Sequence, residues 1–581
     1  MHRKIVRRQC PESGLEQLGL PDFLRRIYLS RGISRTEELE LNLSGLQDVA
    51  LVKGMPEAVN LLVESVMQGQ RILIIGDFDA DGATSTALAL SALRAMGAKH
   101  CNYLVPNRFE FGYGLTPEIV ELAREQNPDL IVTVDNGISS HEGVAYAKSL
   151  GMRVLVTDHH LPGDALPEAD AIVNPNQPGC EFGSKNAAGV GVIFYVMCGL
   201  RARLRQLNWF SRSGISEPNM GEFLDLVALG TVADLVPLDR NNRILVNQGI
   251  LRIRAGKARP GINALLACAG KKPSNLVTSD LGFIVGPRLN AAGRLDDMSL
   301  GIECLMAPDL IVANELAESL DKLNHERKNI EQQMKRDADE QLRQLDVANT
   351  AECWGVCLYD RAWHQGVIGI LASRIKEKLY RPVIVFSEAE DFGGEGKPDR
   401  LLKGSARSIP GLHMRDALDL VAKRNPHLLK KFGGHAMAAG MTIEYRHLNE
   451  FRDAFDAVVR DRLSPSDLDA VILSDGTLDD AELNLDSVML LNQSGPWGQQ
   501  FPEPVFDDVF EIVQHRVLKE RHLKLVVRRV SGATLLDAIM FNSEWVREAL
   551  PQRVRLAYRP NVNEFRGNRS VQLLVDQIEA A

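Results

Sequence analysis

Cysteine is scarce and scattered: there are eight in 581 residues, and only Cys353 and Cys357 stand close together. They bracket Trp354-Gly355-Val356 with no second pair and no nearby histidine. That argues against a zinc site or a disulfide framework, and leaves buried thiols in a reducing cytoplasm as the expectation. No run of about 18 apolar residues occurs, so no membrane-spanning helix is expected. The basic start Met1-His2-Arg3-Lys4-Ile5-Val6-Arg7-Arg8 is followed by polar residues and Pro11. It has no apolar stretch that would make it a secretory signal. Internal repeats and low-complexity tracts are absent as well. So is any excess of positive charge: the sum is −9, which by itself does not suggest a nucleic-acid binder.

The distribution of charge says more than its sum. Between Val505 and Gln577 there are 12 Lys/Arg and 9 Asp/Glu, a local +3 that leaves −12 for the rest. A basic module joined to an acidic body suits a chain that grips phosphates in one place and collects carboxylates in another. The length predicts roughly three or four domains. Residues 1–45 are polar and are expected to be helical. From about residue 57, the spacing predicts an amphipathic helix over Ala58–Gln68. An apolar strand is then expected at Arg71–Gly76, followed by a helix over Ala83–Met96. Further buried strands are expected at Leu130–Val134 and Arg153–Thr157. Apolar strands alternating with helices predict an α/β fold with a parallel sheet. From Asp309 to Trp354 there is neither Gly nor Pro, which predicts a connecting helix of about 30 residues, roughly 45 Å long. A second α/β domain is expected from about 351, with strands at Val356–Tyr359 and Pro382–Phe386. After Pro504 the pattern alternates, as in Leu523-Lys524-Leu525-Val526-Val527-Arg528, and predicts a small β-barrel.

The chemistry-bearing residues gather at strand ends. Asp77-Phe78-Asp79-Ala80-Asp81-Gly82 follows the first apolar strand. Three carboxylates so close repel one another unless a cation intervenes, and a helix N-cap needs only one of them. The next strands end in Asp135-Asn136-Gly137 and Asp158-His159-His160, and Asp234 follows an apolar helical stretch. In an open parallel sheet the carboxyl ends share one crevice. Oxygen ligands with a little imidazole suit Mg²⁺ or Mn²⁺. A dinucleotide-binding loop is excluded at Gly76–Gly82, because its carboxylates would repel a pyrophosphate.

Asp77/Asp79/Asp81, Asp135, Asp158-His159-His160 and Asp234 resemble, in order, the four motifs of the DHH phosphoesterases. Gly286-Pro287-Arg288-Leu289-Asn290-Ala291-Ala292-Gly293-Arg294 is similar to a motif of the branch that degrades single-stranded DNA from its 5′ end. Gly433-Gly434-His435, His364–Gly369 and Gly404-Ser405-Ala406-Arg407-Ser408 resemble the associated DHHA1 module. Many DHH proteins carry a metal-binding His four residues before the first Asp. Leu73 stands there, and Asp81 supplies a carboxylate instead.

The resemblance implies a DHH catalytic domain over 46–305, a helical connector over 306–350, a DHHA1 domain over 351–463 and an OB-like nucleic-acid-binding barrel over 464–581. It implies two divalent ions, Mn²⁺ or Mg²⁺, bridged by Asp135, with Asp77 and Asp81 on one and Asp79, His159 and Asp234 on the other. Asp158 would orient His159, and His160 would hydrogen-bond a phosphate oxygen or assist the leaving group. Arg288, Asn290, Ser405, Arg407 and His435 would hold the substrate across a cleft from the metals. Arg516, Lys519, Arg521, Lys524, Arg528 and Tyr558 of the barrel would bind the strand, with Arg566 further on. The implied activity is 5′→3′ hydrolysis of single-stranded DNA to 5′-mononucleotides in repair and recombination. The implied enzyme is a cytoplasmic monomer, with a single-stranded-DNA-binding protein and a helicase as partners.

Two other readings stay open. One is a DHH activity on oligoribonucleotides, cyclic dinucleotides or polyphosphate, which would not need the basic barrel. The other is a non-catalytic DNA clamp, which would not need the full set of ligands.

Overall fold

The computed structural model describes residues 3–11, 13–107, 114–344, 353–389, 400–530, 532, 534–547, 550–565 and 567–581. They divide into two compact units. One comprises residues 10–324 and 486–504, the other 1–9, 325–485 and 505–581. These units cut across the expected boundaries. The segment 486–504 lies with the carboxylate-bearing unit, although the sequence groups it with the barrel.

The first residues also depart from the helical expectation. Strand β1 (Lys4–Arg7) pairs in parallel with β12 (Val471–Ser474), and Ile5 is buried there. A four-residue strand whose partner lies more than 460 residues away leaves no local signature to read. Arg7 then reaches Asp507, with Nε and Nη2 donating at 3.0 and 3.1 Å. Arg555 Nε and Nη2 donate to the same carboxylate at 2.9 and 2.7 Å, and Ser474 Oγ also donates to it. Burial alone would raise the Asp507 pKa, but these donors outweigh it and hold the carboxyl below its usual range. A depressed carboxylate stabilises the fold above its unfolded pKa of about 3.9, and that contribution is lost as pH falls through the lower folded value. Asp507→Ala is therefore expected to cost on the order of 2 kcal/mol at pH 7, as loss of hydrogen bonds to a charged group does. The difference from the parent should shrink in acid, and urea melts at pH 7 and pH 3 would check it.

In the first unit, β2 (Arg71–Ile75), β3 (His100–Leu104), β4 (Leu130–Val134), β5 (Arg153–Thr157) and β6 (Ala171–Val173) form a parallel sheet of order β3-β2-β4-β5-β6. The chain runs from β2 outward to β3 and then returns to β4 on the other side of β2. The switch point therefore lies between β2 and β4, where an open α/β sheet forms its crevice. β2, β4 and β5 are almost wholly buried, as strands covered on both faces should be.

The Gly- and Pro-free stretch forms one helix, Leu310–Gln344, of 35 residues, about 52 Å at 1.5 Å per residue. Its two parts belong to the two different units.

In the second unit, β7 (Val356–Tyr359), β8 (Val383–Glu388), β9 (Leu401–Arg407), β10 (Lys431–Gly434) and β11 (Ala438–Glu444) form a sheet of order β10-β11-β9-β8-β7. Only β7 and β8 are parallel within it. Cys357 is buried, Cys353 is partly buried, and both are free thiols, as are the other six. The expected barrel closes as β13 (Phe506–Leu518), β14 (His522–Arg529), β15 (Leu535–Met540), β17 (Asn568–Ala580) and β16 (Arg553–Phe565). Among the described residues, no helix is long and apolar enough to cross a membrane.

Candidate metal centre and nucleic-acid interface

The sheet delivers its carboxylates to the switch point by backbone constraint. Asp77 follows β2, and its Oδ1 accepts from its neighbour, the Phe78 N–H, at 2.8 Å. Asp79 caps the helix Ala80–Ala95, accepting from the N–H groups of Asp81 and Gly82 at 2.9 and 3.1 Å. Capping thus accounts for one of the three carboxylates. Asp81 is buried within that helix. It accepts from the N–H groups of Gly189 and Val190, at 2.7 and 3.0 Å, at the start of the helix Gly189–Gln206. Asp135 sits just past β4 with φ +63°, in the left-handed region that Asp tolerates better than most residues. Asp234 ends the helix Leu224–Ala233.

One donor atom each from Asp77, Asp79 and Asp135 lie within 4.8 Å of one another. The same holds for Asp81, His159 and Asp234, and for Asp135, His159 and His160. His159 Nε2 stands 3.1 Å from Asp135 Oδ1 and 3.5 Å from Asp234 Oδ2. The grouping differs from the expected division, since Asp79 gathers with Asp77 and Asp81 gathers with His159 and Asp234. Asp79 stands outside the helix as its cap, whereas Asp81 lies within the first turn and faces the start of the Gly189 helix.

Burial, followed by the neighbouring Asp79, pushes the Asp81 carboxyl up to about 7. Burial and the surrounding carboxylates raise Asp135 and Asp234 well above their usual range. These groups cannot all be ionised together in a buried crevice without compensating positive charge. A donor set of five carboxylates and an imidazole therefore fits hard divalent cations.

Asp158 is buried behind the cluster. Its Oδ2 accepts from the Ile138 N–H at 2.9 Å, and its Oδ1 accepts from the His159 and His160 N–H groups at 2.7 and 3.1 Å. The ring it holds is that of His160, with Nδ1 at 2.7 Å from Oδ1. The expected partner was His159. Burial opposes charge on His160, but the hydrogen bond and charge of Asp158 prevail and lift its pKa to about 9.

Several positioning residues escaped the sequence reading. Asn176 Nδ2 donates to the His159 carbonyl at 2.6 Å, and Asn174 Nδ2 donates to the His160 carbonyl at 2.9 Å. The only signal was Asn174-Pro175-Asn176 directly after an apolar triplet. Gly189 and Gly230 leave room for the cluster. A Cβ on Gly189 would stand 2.6 Å from Asp135 Oδ1, and one on Gly230 would stand 2.7 Å from Asp81 Oδ1.

The motif Gly286–Arg294 forms a helix that supports the acidic loop. Asn290 Oδ1 accepts from the Ala80 N–H at 2.8 Å, and a Cβ on Gly293 would lie 1.8 Å from the Phe78 carbonyl oxygen. Arg288 is buried, with Nη2 at 2.8 Å from Asp321 Oδ1 and Nη1 donating to the Ile284 carbonyl at 2.7 Å. In this structure both residues are thus engaged by the protein, where substrate contacts were expected.

In the second unit, Ser405 and Arg407 lie side by side on β9, with Arg407 Nη1 donating to Ser405 Oγ at 3.2 Å. A Cβ on Gly369, at the start of the helix Ile368–Leu379, would lie 2.9 Å from both side chains. Serine, guanidinium and a helix N-terminus therefore adjoin, a combination suited to an anion. His435 is exposed beside Gly434.

On the barrel, Arg516, Lys519 and Arg521 are exposed at the β13–β14 hairpin. Lys524 pairs with Asp537 at 3.0 Å and Arg528 with Glu511 at 2.7 Å. Tyr558 must be withdrawn from the strand-binding set. It is fully buried, its hydroxyl donates to Asp508 at 2.7 Å, and its ring packs with Phe506 and Phe510. It shares the inward parity of Val554 and Leu556, so it cannot offer a face to a base. Arg566 lies outside the described residues.

Residues 71–231 match the DHH family N-terminal domain, and 353–461 match the DHHA1 domain. Fold and site thus define a DHH protein with an attached DHHA1 domain. Residues 474–577 match the RecJ OB domain. The chain is 52% identical over 579 residues to the single-stranded-DNA-specific exonuclease RecJ of Salmonella typhimurium, with 99% of each chain covered. Crystal structures of RecJ from Thermus thermophilus in complex with Mn²⁺ and with Mg²⁺ are similar to it, at 29% and 27% identity. Their TM-scores are 0.80 and 0.73; the match covers 100% of this chain and 80% and 78% of theirs. The chain belongs to the RecJ family.

Proposed function

We propose that the protein is a divalent-metal-dependent exonuclease that hydrolyses single-stranded DNA from its 5′ end to 5′-mononucleotides. The observation that carries this reading is the convergence of Asp77, Asp79, Asp81, Asp135, His159 and Asp234 at the sheet's switch point. Asp77 and Asp79 would hold one ion, Mn²⁺ or Mg²⁺, and Asp81, His159 and Asp234 a second, with Asp135 shared. Such ions, when bound, lower the pKa of a water and offset charge growing on the phosphate.

The protein's own groups do the rest. Asp158 fixes the His160 ring through Nδ1, so that the imidazole is placed to donate to a phosphate oxygen or to the leaving oxygen. Asn174 and Asn176 fix the backbone that carries both histidines. Ser405 and Arg407, with His435, hold a terminal phosphate or sugar, and this selects an end rather than an internal bond. The same reading makes the protein a cytoplasmic monomer in repair and recombination, supplied with strands by a helicase and a single-stranded-DNA-binding protein.

The hairpin cations Arg516, Lys519 and Arg521 track the strand backbone, with Lys524 and Arg528 as weaker contributors because each already has an acidic partner. Replacing the three hairpin residues by serine is expected to weaken binding of a long strand about ten-fold. The slope of log K against log salt should fall by about 2, at roughly 0.7 per charge for single strands. Fluorescence anisotropy across a salt series would check this, and an unchanged slope would assign the hairpin a structural role.

The deciding experiment is nucleotide release from a single-stranded oligonucleotide labelled at either end, with Mn²⁺, Mg²⁺ or chelator. Metal-dependent release of mononucleotides from the 5′ end, sparing duplex, is expected. Cleavage of dinucleotides or polyphosphate with none of DNA would keep the metal centre and overturn the substrate.

A further inference from the structure

Beside the metal centre, within the same compact unit, runs a groove that the chemistry above does not use. It is lined by Thr231, Leu235, Phe283, Asn492, Trp497 and Gln499 among others. Two of its apolar side chains stand out in solvent: Leu235 is 64% exposed and Phe283 is 76% exposed. Leu235 directly follows Asp234 and adopts φ +61°, a costly conformation for a leucine that tends to persist where function requires it. Phe283 is carried on a single π-helical turn, Leu281–Val285, a feature frequent at functional sites. A Cβ on Gly282 would lie 3.2 Å from Val232 Cγ1, so this turn sits close against the helix that ends in Asp234. The accessible polar groups of the lining include the amides of Asn492, partly exposed, and Gln499, exposed.

The lining includes one acid, Glu503, and neither lysine nor arginine. It therefore repels phosphate and offers nothing to an acidic peptide. Apolar faces with a few amide and hydroxyl groups match a nucleobase instead. We infer that this groove receives a base of the single strand next to the scissile phosphate, stacked on Phe283 and flanked by Leu235, with Asn492 and Gln499 among the groups that meet its edge. The inference rests on the proposed DNA substrate and adds a base-reading platform to it. Continuity with Asp234 sets the position: a base seated here hangs from a sugar close to the phosphate at the metals. Stacking tolerates all four bases, so the platform grips any sequence but requires an unpaired base. That provides a physical reason for rejecting duplex.

The test uses the full-length protein and oligonucleotides carrying 2-aminopurine at successive positions from the 5′ end, in chelator, so that binding is read without hydrolysis. The parent should quench the fluorophore at one or two positions near that end. Phe283→Ala should abolish the quenching and weaken binding about ten-fold, the scale of one base–aromatic stack, and Phe283→Trp should retain both. Replacing the quenched position by an abasic site should weaken the parent and leave Phe283→Ala unchanged. Equal quenching in parent and Phe283→Ala, or equal loss on the abasic strand, would overturn the platform. Phe283 lies on the surface, so its replacement leaves the core intact. A parent that neither binds nor degrades single strands would overturn the substrate itself. A parent that does both, with Phe283→Ala unaffected, would overturn the platform alone.

Discussion

Asparagine in place of Asp135 is expected to reduce metal-dependent release of nucleotides by about a thousand-fold or more, the scale on which a catalytic unit fails when a central member is removed. Asparagine keeps the shape and tolerates φ +63°, so the change isolates the charge. Asp135 belongs to two of the donor groups at the centre and lies 3.1 Å from His159 Nε2. The same substitution should stabilise the metal-free protein. Burial and the carboxylates of Asp81, Asp79, Asp234 and Asp77 raise the Asp135 pKa, so the folded state binds protons more readily than the unfolded one. Folding is then penalised as pH rises from about 4 through the raised values, of which Asp81 stands at about 7. In chelator, the parent's melting temperature should fall between pH 5 and pH 8, and Mn²⁺ should restore it most at pH 8. In Asp135→Asn the fall should be smaller and the Mn²⁺ gain largely lost. A variant with near-parent turnover would remove Asp135 from the reaction, and an undiminished Mn²⁺ gain would remove it from the metal.

The centre was legible because most of its carboxylates and histidines stand at or just after the ends of strands that announce themselves, with Asp234 closing an apolar helix. β2, β4 and β5 are continuous apolar runs, and the acids begin where the apolar residues stop. The edge strands β3 and β6 carry no such signal. His100-Cys101-Asn102 is polar at an exposed edge, and three residues of β6 carry too little periodicity. What each ligand touches was also hidden. Asp81 is held by the amides of Gly189 and Val190, more than 100 positions away, and Asp158 holds the ring of His160 rather than that of its immediate neighbour. Motif and role separated in the same way at Arg288 and Asn290. The sequence marks both, but only tertiary contact shows the one paired with Asp321 and the other anchoring Ala80. Tyr558 could have been placed correctly from the parity of Val554 and Leu556, because a residue on the inner face of a small barrel belongs to its core.

Gly189→Ala tests whether the centre depends on space as well as on ligands. The Gly189 N–H donates to Asp81 Oδ2 at 2.7 Å, and a Cβ there would stand 2.6 Å from both Cβ and Oδ1 of Asp135. Real Cβ atoms do not approach so closely, and Asp135 has little freedom to yield. Its backbone is in the left-handed region, and its N–H donates to the Thr157 carbonyl at 3.1 Å. The strain must therefore displace the carboxylate, the helix start, or both. Overpacking of this kind costs about 1–3 kcal/mol, which a two-unit protein of this size should survive. The loss in turnover should be far larger, about a hundred-fold, because a shift of about 1 Å in a reacting group already costs that much. Raising Mn²⁺ should recover part of the activity if the ion is held more weakly. Circular dichroism and melting would show the fold retained while turnover collapses. A variant as active as the parent at low Mn²⁺ would mean that the first turn of the Gly189 helix can move away from Asp135 without cost. The close approach would then be incidental to the chemistry.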